Sequence, residues 1–313
     1  MNNGILVSAI IPTFNRGYVV SKAIDSILNQ TYTHTEIIVV DDGSTDDTQQ
    51  ILAGYGDRIR VVYQKNAGPS AARNRGILAS KGEVVAFLDS DDIWLPAKLE
   101  RQISLLQKVP NTVPCCLCNG ITKDPSGKVW DAFDTGLLYP DCAEGLWLNT
   151  AEVLATRFIL FCQLVAIRRD ALERVGYFDE GLRFMEDYDL ALRLSAEGPW
   201  GFIREPLATM TIYPADSLSF KVSSEHVRHS QYMLKSRERL YEAMRSKGGA
   251  AAKLGFLRKA IKRTRRELWG AELRESNYWS ARFAGKFFKL LERYRMGLFR
   301  RSPWFPKAKT IPV

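Results

Sequence analysis

The first hundred residues alternate short apolar runs with stretches in which apolar residues recur at helical spacing. Val7 to Ile11 is largely apolar, the pattern of a strand covered on both faces. Ala23, Ile24, Ile27 and Leu28 then repeat along one helical face, and Ile37 to Val40 forms the next apolar run, which together predict a β-α-β unit. The alternation continues with a helix over Thr45 to Leu52, a strand over Arg60 to Tyr63, a helix over Ser70 to Ala79 and a strand over Val84 to Leu88. Pro96 suits the first turn of a further helix running through Leu106. The expected fold class is α/β: an open, mostly parallel sheet with helices on both faces and ligands at the carboxyl ends of its strands.

Past Pro110 the pattern loosens, and the Gly, Pro and aromatic residues between Lys123 and Trp147 predict loops. A strand over Leu164 to Ile167 and a helix over Glu186 to Ala196 complete the globular part. From about Glu225 nearly everything has helical spacing, broken at Gly248-Gly249 and ended by Ser302-Pro303. The expected division is residues 1–224 as a catalytic unit and 225–313 as a helical extension.

Composition narrows this picture. With 313 residues, 46% of them hydrophobic and 25% charged, the chain can bury a sizeable core. No apolar run approaches the roughly 18 residues that cross a bilayer, and Met1-Asn2-Asn3-Gly4 lacks the basic start of a signal peptide. A cytoplasmic location is therefore expected. Cys115, Cys116 and Cys118 match no standard zinc spacing and read as part of a buried strand; with Cys142 and Cys162 they are expected as free thiols. The net charge of +9 is uneven, since Lys253 to Arg301 holds 15 Lys and Arg against 4 Glu.

Polar clusters follow four of the predicted strands: Thr13-Phe14-Asn15-Arg16, Asp41-Asp42-Gly43-Ser44, Asn66-Ala67-Gly68-Pro69-Ser70 and Asp89-Ser90-Asp91-Asp92. Each alone could be a helix cap or a turn; all four at one sheet edge describe a ligand crevice. A GxGxxG after the first strand and a P-loop are both missing, so a nucleotide would be held by side chains. Asp41 or Asp42 could accept from a base or ribose, with Thr13 and Arg16 nearby. Arg73, in the first turns of the Ser70 helix, would face phosphate together with that helix's free N–H groups. In extended chain Asp89 and Asp91 point the same way and could share a hard cation such as Mg²⁺ or Mn²⁺. The alternative is a solvated acidic turn in which Asp92 helps to start the next helix. Glu186, Asp187 and Asp189 crowd another first helical turn, which the helix dipole alone would favour.

The segments VSAIIPTFNR, EIIVVDDGSTD, NAGPSAARNRG, FLDSDDIWLP and FMEDYDLALRL, in this order over Val7 to Leu194, resemble family 2 of the inverting glycosyltransferases. The resemblance implies a GT-A, Rossmann-like fold, a nucleotide-diphosphate sugar donor (UDP-linked above all) and Mn²⁺ or Mg²⁺ at the DxD motif. It implies donor binding over about residues 1–110 and acceptor binding over about 111–224. Thr13, Asn15, Arg16, Asp41 and Asp42 would then hold the nucleoside, with Asn66, Gly68 and Arg73 nearby. Asp89 would contact ribose or metal, Asp91 would be the principal metal ligand, and Asp187 the catalytic base, with Asp189 in reserve. The expected acceptor is a hydroxyl of a saccharide or lipid-linked saccharide in cell-surface polysaccharide synthesis. One departure stands out: where many members carry Tyr-Arg-x-His, this chain reads Tyr213-Pro214-Ala215-Asp216, which leaves Asp216, Lys221 or His226 as substitutes for the missing groups. A nucleotidyltransferase is the rival enzyme, and an inert sugar-nucleotide-binding protein the rival from another class.

Phe283, Phe287, Leu290, Leu291, Tyr294 and Leu298 share a helical face interleaved with Arg282, Lys286, Lys289, Arg293 and Arg300. Such a segment could lie on an anionic membrane surface, pack on the catalytic unit or contact another subunit. No nucleic-acid-binding motif accompanies the charge, so nucleic acid is not expected as a partner.

Overall fold

The computed structural model describes residues 4–124, 126–136, 138–157, 159, 161–211, 225–248, 251–275 and 307–313. Its first half runs β1 (Val7–Thr13), α1 (Gly17–Leu28), β2 (Thr35–Asp41), α2 (Thr48–Ala53), β3 (Arg60–Tyr63), α3 (Pro69–Ala79) and β4 (Val84–Phe87). The strands pair in parallel in the order β4-β1-β2-β3, with Val7 beside both Thr35 and Val84. Steps from β1 to β2 to β3 go one way, and the step to β4 crosses back. Right-handed crossovers therefore put α1 and α2 on one face and α3 on the other. Every residue of β1 and β4 is buried, which is why these strands read as continuous apolar runs.

The second half runs β5 (Ile93–Trp94), α4 (Lys98–Lys108), β6 (Cys115–Lys123), β7 (Val129–Asp131), α5 (Ala132–Thr135), β8 (Glu144–Trp147), α6 (Thr150–Leu154), β9 (Val165–Arg168), α7 (Arg169–Val175), α8 (Glu186–Ser195) and β10 (Trp200–Thr211). β9 inserts antiparallel between β4 and β6, so β6 points the same way as β1 and β4. β10 lies parallel to β6, and β8 flanks it antiparallel. After these come α9 (His226–Ser246), α10 (Ala251–Glu275) and β11 (Thr310–Pro312). β11 adds to the free edge of β8, where Gly145 leaves room that a Cβ would fill 2.0 Å from the Ile311 carbonyl oxygen. Among the described residues no helix is long and apolar enough to cross a membrane.

The α/β class, the parallel first half and the C-terminal helices agree with the sequence reading, and several details do not. Pro96 lies in a turn before α4 rather than in its first turn, and its carbonyl accepts the Thr31 N–H at 2.9 Å. β5 was not anticipated, and the short elements between Lys123 and Trp147 were expected as loop. β10, twelve residues long, was not anticipated at all. Its Arg204-Glu205-Pro206 stretch interrupts the apolar run, and the pairing with β6 shifts register on both sides of Pro206, as proline requires within a sheet. The segment 212–224 with Tyr213, Asp216 and Lys221, and the aromatic-basic stretch 282–300, lie outside the described residues. His226 is exposed at the start of α9. The five cysteines are free, and Cys115, Cys116 and Cys118 are buried in β6.

Candidate active site

The loops after β1 and β2 are stitched together. Asn15, in a left-handed conformation at φ 52°, donates its N–H to Ser44 Oγ at 2.9 Å and accepts the Thr45 N–H on Oδ1 at 2.8 Å. The Arg16 N–H reaches Thr48 Oγ1 at 3.1 Å. Asp41 is fully buried and accepts from the Ser44 N–H and from Gln49 Nε2, both at 2.9 Å. Asp42 accepts from Gln64 Nε2 at 2.7 Å and from the Ala67 and Gly68 N–H groups at 2.8 Å. Both carboxylates thus hold the chain in place, Asp42 by docking the loop that opens α3. Gly68 starts that helix at φ 91°, a conformation natural to glycine. Asn66 is exposed in the same loop. Two buried hydroxyls, Thr13 Oγ1 and Ser70 Oγ, have no hydrogen-bond partner among the described residues.

Arg73 joins the halves of the molecule. From α3 its guanidinium donates to Asp89 Oδ1 after β4 and to Glu186 Oε1 of α8, each at 2.7 Å, and it lies 5.4 Å from the Phe178 ring centroid. The next residue, Asn74, accepts the Phe178 N–H at 2.9 Å and donates to the Phe178 carbonyl at 3.0 Å. The other Asp89 oxygen accepts from Gln163 Nε2. Gln163 is in turn fixed by its carbonyl, which accepts the Trp94 indole N–H at 3.0 Å. Sequence reasoning did not single out Gln163, Asn74 or Phe178. Only Gln163 carried a signal, as a polar residue at the end of the apolar stretch Phe158 to Cys162.

Asp91 sits with Oδ2 3.8 Å from Arg16 Nε; burial and then the neighbouring Asp89 push its carboxyl up to about 6 despite that arginine. Asp92 does not start the next helix. Its carboxylate accepts the Thr211 N–H at 3.2 Å, and burial with Asp89 and Asp91 raises its pKa. Within one turn, then, Asp89 accepts one protein donor on each oxygen and stays partly exposed, Asp92 is turned to β10, and Asp91 is partly exposed beside Arg16. Among the described residues no three His, Cys, Asp or Glu side chains gather around a common point. The donor set still fits a hard divalent ion, with Asp91 as the residue that would hold it, because three mutually repelling carboxylates there favour added positive charge.

α8 begins strained: Met185 precedes it at φ 64°, an uncommon geometry for a non-glycine residue that recurs at functional sites. The turn aims Glu186 at Arg73 and leaves Asp187 half-buried, its Oδ1 accepting the Tyr188 N–H at 2.7 Å. Burial first, then Glu186, push the Asp187 carboxyl up to about 7, against the pull of Arg73. Asp189 is fully buried and faces away, paired with Arg193 Nε at 2.8 Å and Arg239 of α9 at 3.3 Å. Leu190, Ala191 and Leu194 face the core. The structure therefore gathers Arg16, Arg73, Asp89, Asp91, Glu186 and Asp187 into one charged network at the carboxyl edge of the sheet.

This is the GT-A fold with a carboxylate-rich crevice. The family model described as glycosyl transferase family 2 matches residues 8–175, and the chain belongs to that family. An uncharacterized glycosyltransferase of Rickettsia prowazekii is 35% identical over 212 residues, 68% of this chain and 65% of that relative, so the match spans just under two thirds of its length. The putative teichuronic acid biosynthesis glycosyltransferase TuaG of Bacillus subtilis is 43% identical over 107 residues, 33% of this chain and 42% of TuaG. The crystal structure of S. aureus TarS 1–349 with UDP-GlcNAc superposes with a TM-score of 0.62 at 18% identity, covering 84% of this chain and 72% of that one. The mannosyltransferase PcManGT of Pyrobaculum calidifontis, in complex with GDP-Man and Mn²⁺, gives 0.54 at 18%, covering 97% and 83%.

Replacing Arg73 with Met should destabilise the fold by about 3–5 kcal/mol, because Asp89 and Glu186 keep their charges without the cation between them. Urea denaturation checks this.

Proposed function

We propose that the protein is a metal-dependent inverting glycosyltransferase that moves a hexose or N-acetylhexosamine from a nucleotide-diphosphate sugar, most suitably a UDP-sugar, to a hydroxyl of a saccharide or lipid-linked saccharide. The observation that carries this reading is Asp187: a carboxylate raised to about 7, half-buried beside the Arg73 clamp and presented by a strained helix start. A base with such a pKa can take a proton from an acceptor hydroxyl as attack on the anomeric carbon develops. Nucleotide-sugar ligands bound to fold relatives, UDP-GlcNAc and GDP-Man, and the teichuronic acid relative support the donor class and a place in cell-surface polysaccharide synthesis. The unpartnered hydroxyls of Thr13 and Ser70 support a ligand in the crevice beside Asn15, Arg16 and the Asn66–Gly68 loop.

In this mechanism the first turn of α3 and Arg16 supply positive potential toward the diphosphate, Asp91 would hold the ion, and Asp89 is oriented by Arg73 and Gln163 toward ribose or metal. Bound there, a divalent ion would offset the charge developing on the leaving diphosphate. Asp187 accepts the acceptor's proton, and inversion needs no covalent intermediate. Exchanging Asp187 for Asn should abolish transfer while leaving UDP binding within about twofold, and wild-type turnover would refute the assignment. In the wild type, kcat/KM should rise with pH through about 7 and level off above it, since the deprotonated form of a raised carboxyl is the active base.

Exchanging Asp91 for Ala should remove the Mn²⁺-dependent part of UDP binding, read by titration calorimetry with and without the ion. Equal affinities for variant and wild type in Mn²⁺ would exclude this ligand.

The reading extends to a membrane-bound acceptor. α10 exposes Arg258, Lys259, Lys262, Arg263, Arg265 and Arg266 together with Trp269, a combination suited to an anionic lipid surface. Exchanging Lys259, Lys262 and Arg266 for Glu should release the chain from vesicles containing phosphatidylglycerol in a flotation assay; unchanged flotation would refute it.

A further inference from the structure

Away from the charged network lies a cleft of about 560 Å³ between β6, β10 and the segment that runs from β7 through α5 to Asp141. Its floor is rigid. Asn119 of β6 is buried and donates to Asp131 Oδ2 at 2.7 Å and to the Arg204 carbonyl at 3.1 Å, while its Oδ1 accepts the Gly120 and Phe133 N–H groups at 2.8 and 3.0 Å. Asp131 also caps α5 through the Phe133 and Asp134 N–H groups. One buried amide thus ties three strands and a helix at the cleft base.

The walls have a different character. Asp134, Asp141 and Arg204 are exposed side chains lining the cleft and form no ion pair among the described residues. Tyr139 lines it at 63% exposure and with the partly exposed Pro206 supplies its main apolar surface, while Phe133, Leu138 and Pro140 lie buried beneath. Carboxylate acceptors, a guanidinium donor and flat apolar faces in one concave space of this size suit a neutral polyhydroxylated ligand. With Asp131, Asp134 and Asp141 against Arg204, the lining is net acidic, which disfavours phosphates. No three of its acidic groups converge as a cation site among the described residues.

Position supplies the rest. Pro206 stands opposite Asn119 in the β6–β10 pairing, and β10 runs on to Thr211, whose N–H meets Asp92 beside the network. Five residues of strand separate the two points, about 15 Å, too far for the donor's own sugar to occupy both. We propose that this cleft binds a neutral saccharide chain, namely the part of the acceptor remote from the hydroxyl that reacts. The inference rests on the transferase reading and sharpens it: the acceptor is an oligosaccharide several units long rather than a monosaccharide or a bare lipid.

The test is saturation-transfer NMR on the full chain with maltotetraose, cellotetraose, chitotetraose and mannotetraose, with UDP–Mn²⁺ binding read in parallel by thermal shift. At least one tetrasaccharide should receive saturation. Its affinity should fall about tenfold or more in Tyr139→Ala/Arg204→Ala, in line with the loss of a charged hydrogen bond and a stacking face. The same variant should keep the wild-type UDP–Mn²⁺ shift, which also shows that it is folded, and Asp134→Asn/Asp141→Asn gives a second, isosteric loss of acceptors. Silence from all four sugars in a chain that still binds UDP–Mn²⁺ overturns the proposal, as does sugar binding that neither variant weakens. Pentalysine binding at the cleft in place of sugars would make it a cationic-peptide site and overturn it as well. Sugar binding at the cleft without any UDP–Mn²⁺ shift leaves the saccharide site standing and removes the donor reading instead.

Discussion

The Arg73 guanidinium is the interaction on which the rest of the site depends. It is buried, it comes from a helix on one face of the sheet, and it meets a carboxylate from the β4 turn and another from α8, a helix more than a hundred residues away in sequence. A buried cation between two carboxylates does more than hold them together. It offsets both negative charges at once, and those charges add to the effect of burial on the next carboxylates along. Asp91 and Asp187 are those neighbours: burial first, then the charge of Asp89 or Glu186, pushes their carboxyls up to about 6 and about 7. A charge triad that is structural in its contacts therefore adds its field to burial at two groups it does not touch by hydrogen bonding.

Much of this was legible in the sequence because the first half of the fold obeys simple periodicity. Strands buried on both faces read as apolar runs, and the polar residues that follow each run fall at the same sheet edge, so Thr13, Arg16, Asp41, Asp89 and Asp91 could be named without coordinates. Their partners could not. Whether Asp42 faces a ligand or docks its own loop depends on where the Ala67 and Gly68 N–H groups arrive, which local sequence does not encode. Arg73 read as a residue facing phosphate; its ion pairs with Asp89 and Glu186 depend on α8 packing beside α3. Gln163 was invisible for a similar reason: its role comes from the Trp94 indole fixing its backbone and Asp89 receiving its side chain, two contacts far apart in sequence.

The second half was less legible, and the cause is proline and charge within strands. β10 carries Arg204, Glu205 and Pro206 in its middle, which looks like a loop when read as a string. In the sheet the same three residues produce the register shifts against β6, leave Arg204 exposed and let Asn119 cross to the Arg204 carbonyl. What broke the periodic signal is thus what opened the cleft. Irregularity in a strand lowers its sequence signal and creates concave surface by the same act.

The division between a regular and an irregular half also bears on how such a chain diversifies. In the proposed reading the regular half faces a nucleotide diphosphate, which presents the same phosphates and ribose whatever sugar it carries, so that half can be built from strands and helix starts whose geometry is fixed by backbone hydrogen bonds. A saccharide acceptor varies in linkage and length. Surfaces that read it have to change without disturbing the core, which short strands, a one-turn helix and a loop from Leu138 to Asp141 permit. The two halves stay in step because Arg73 and Gln163 reach from opposite sides to the same Asp89 carboxylate. A shift of β9 and its preceding turn would move Gln163 and so be felt at Asp89. The two halves of the sheet thus share a single carboxylate, held on one oxygen from each half.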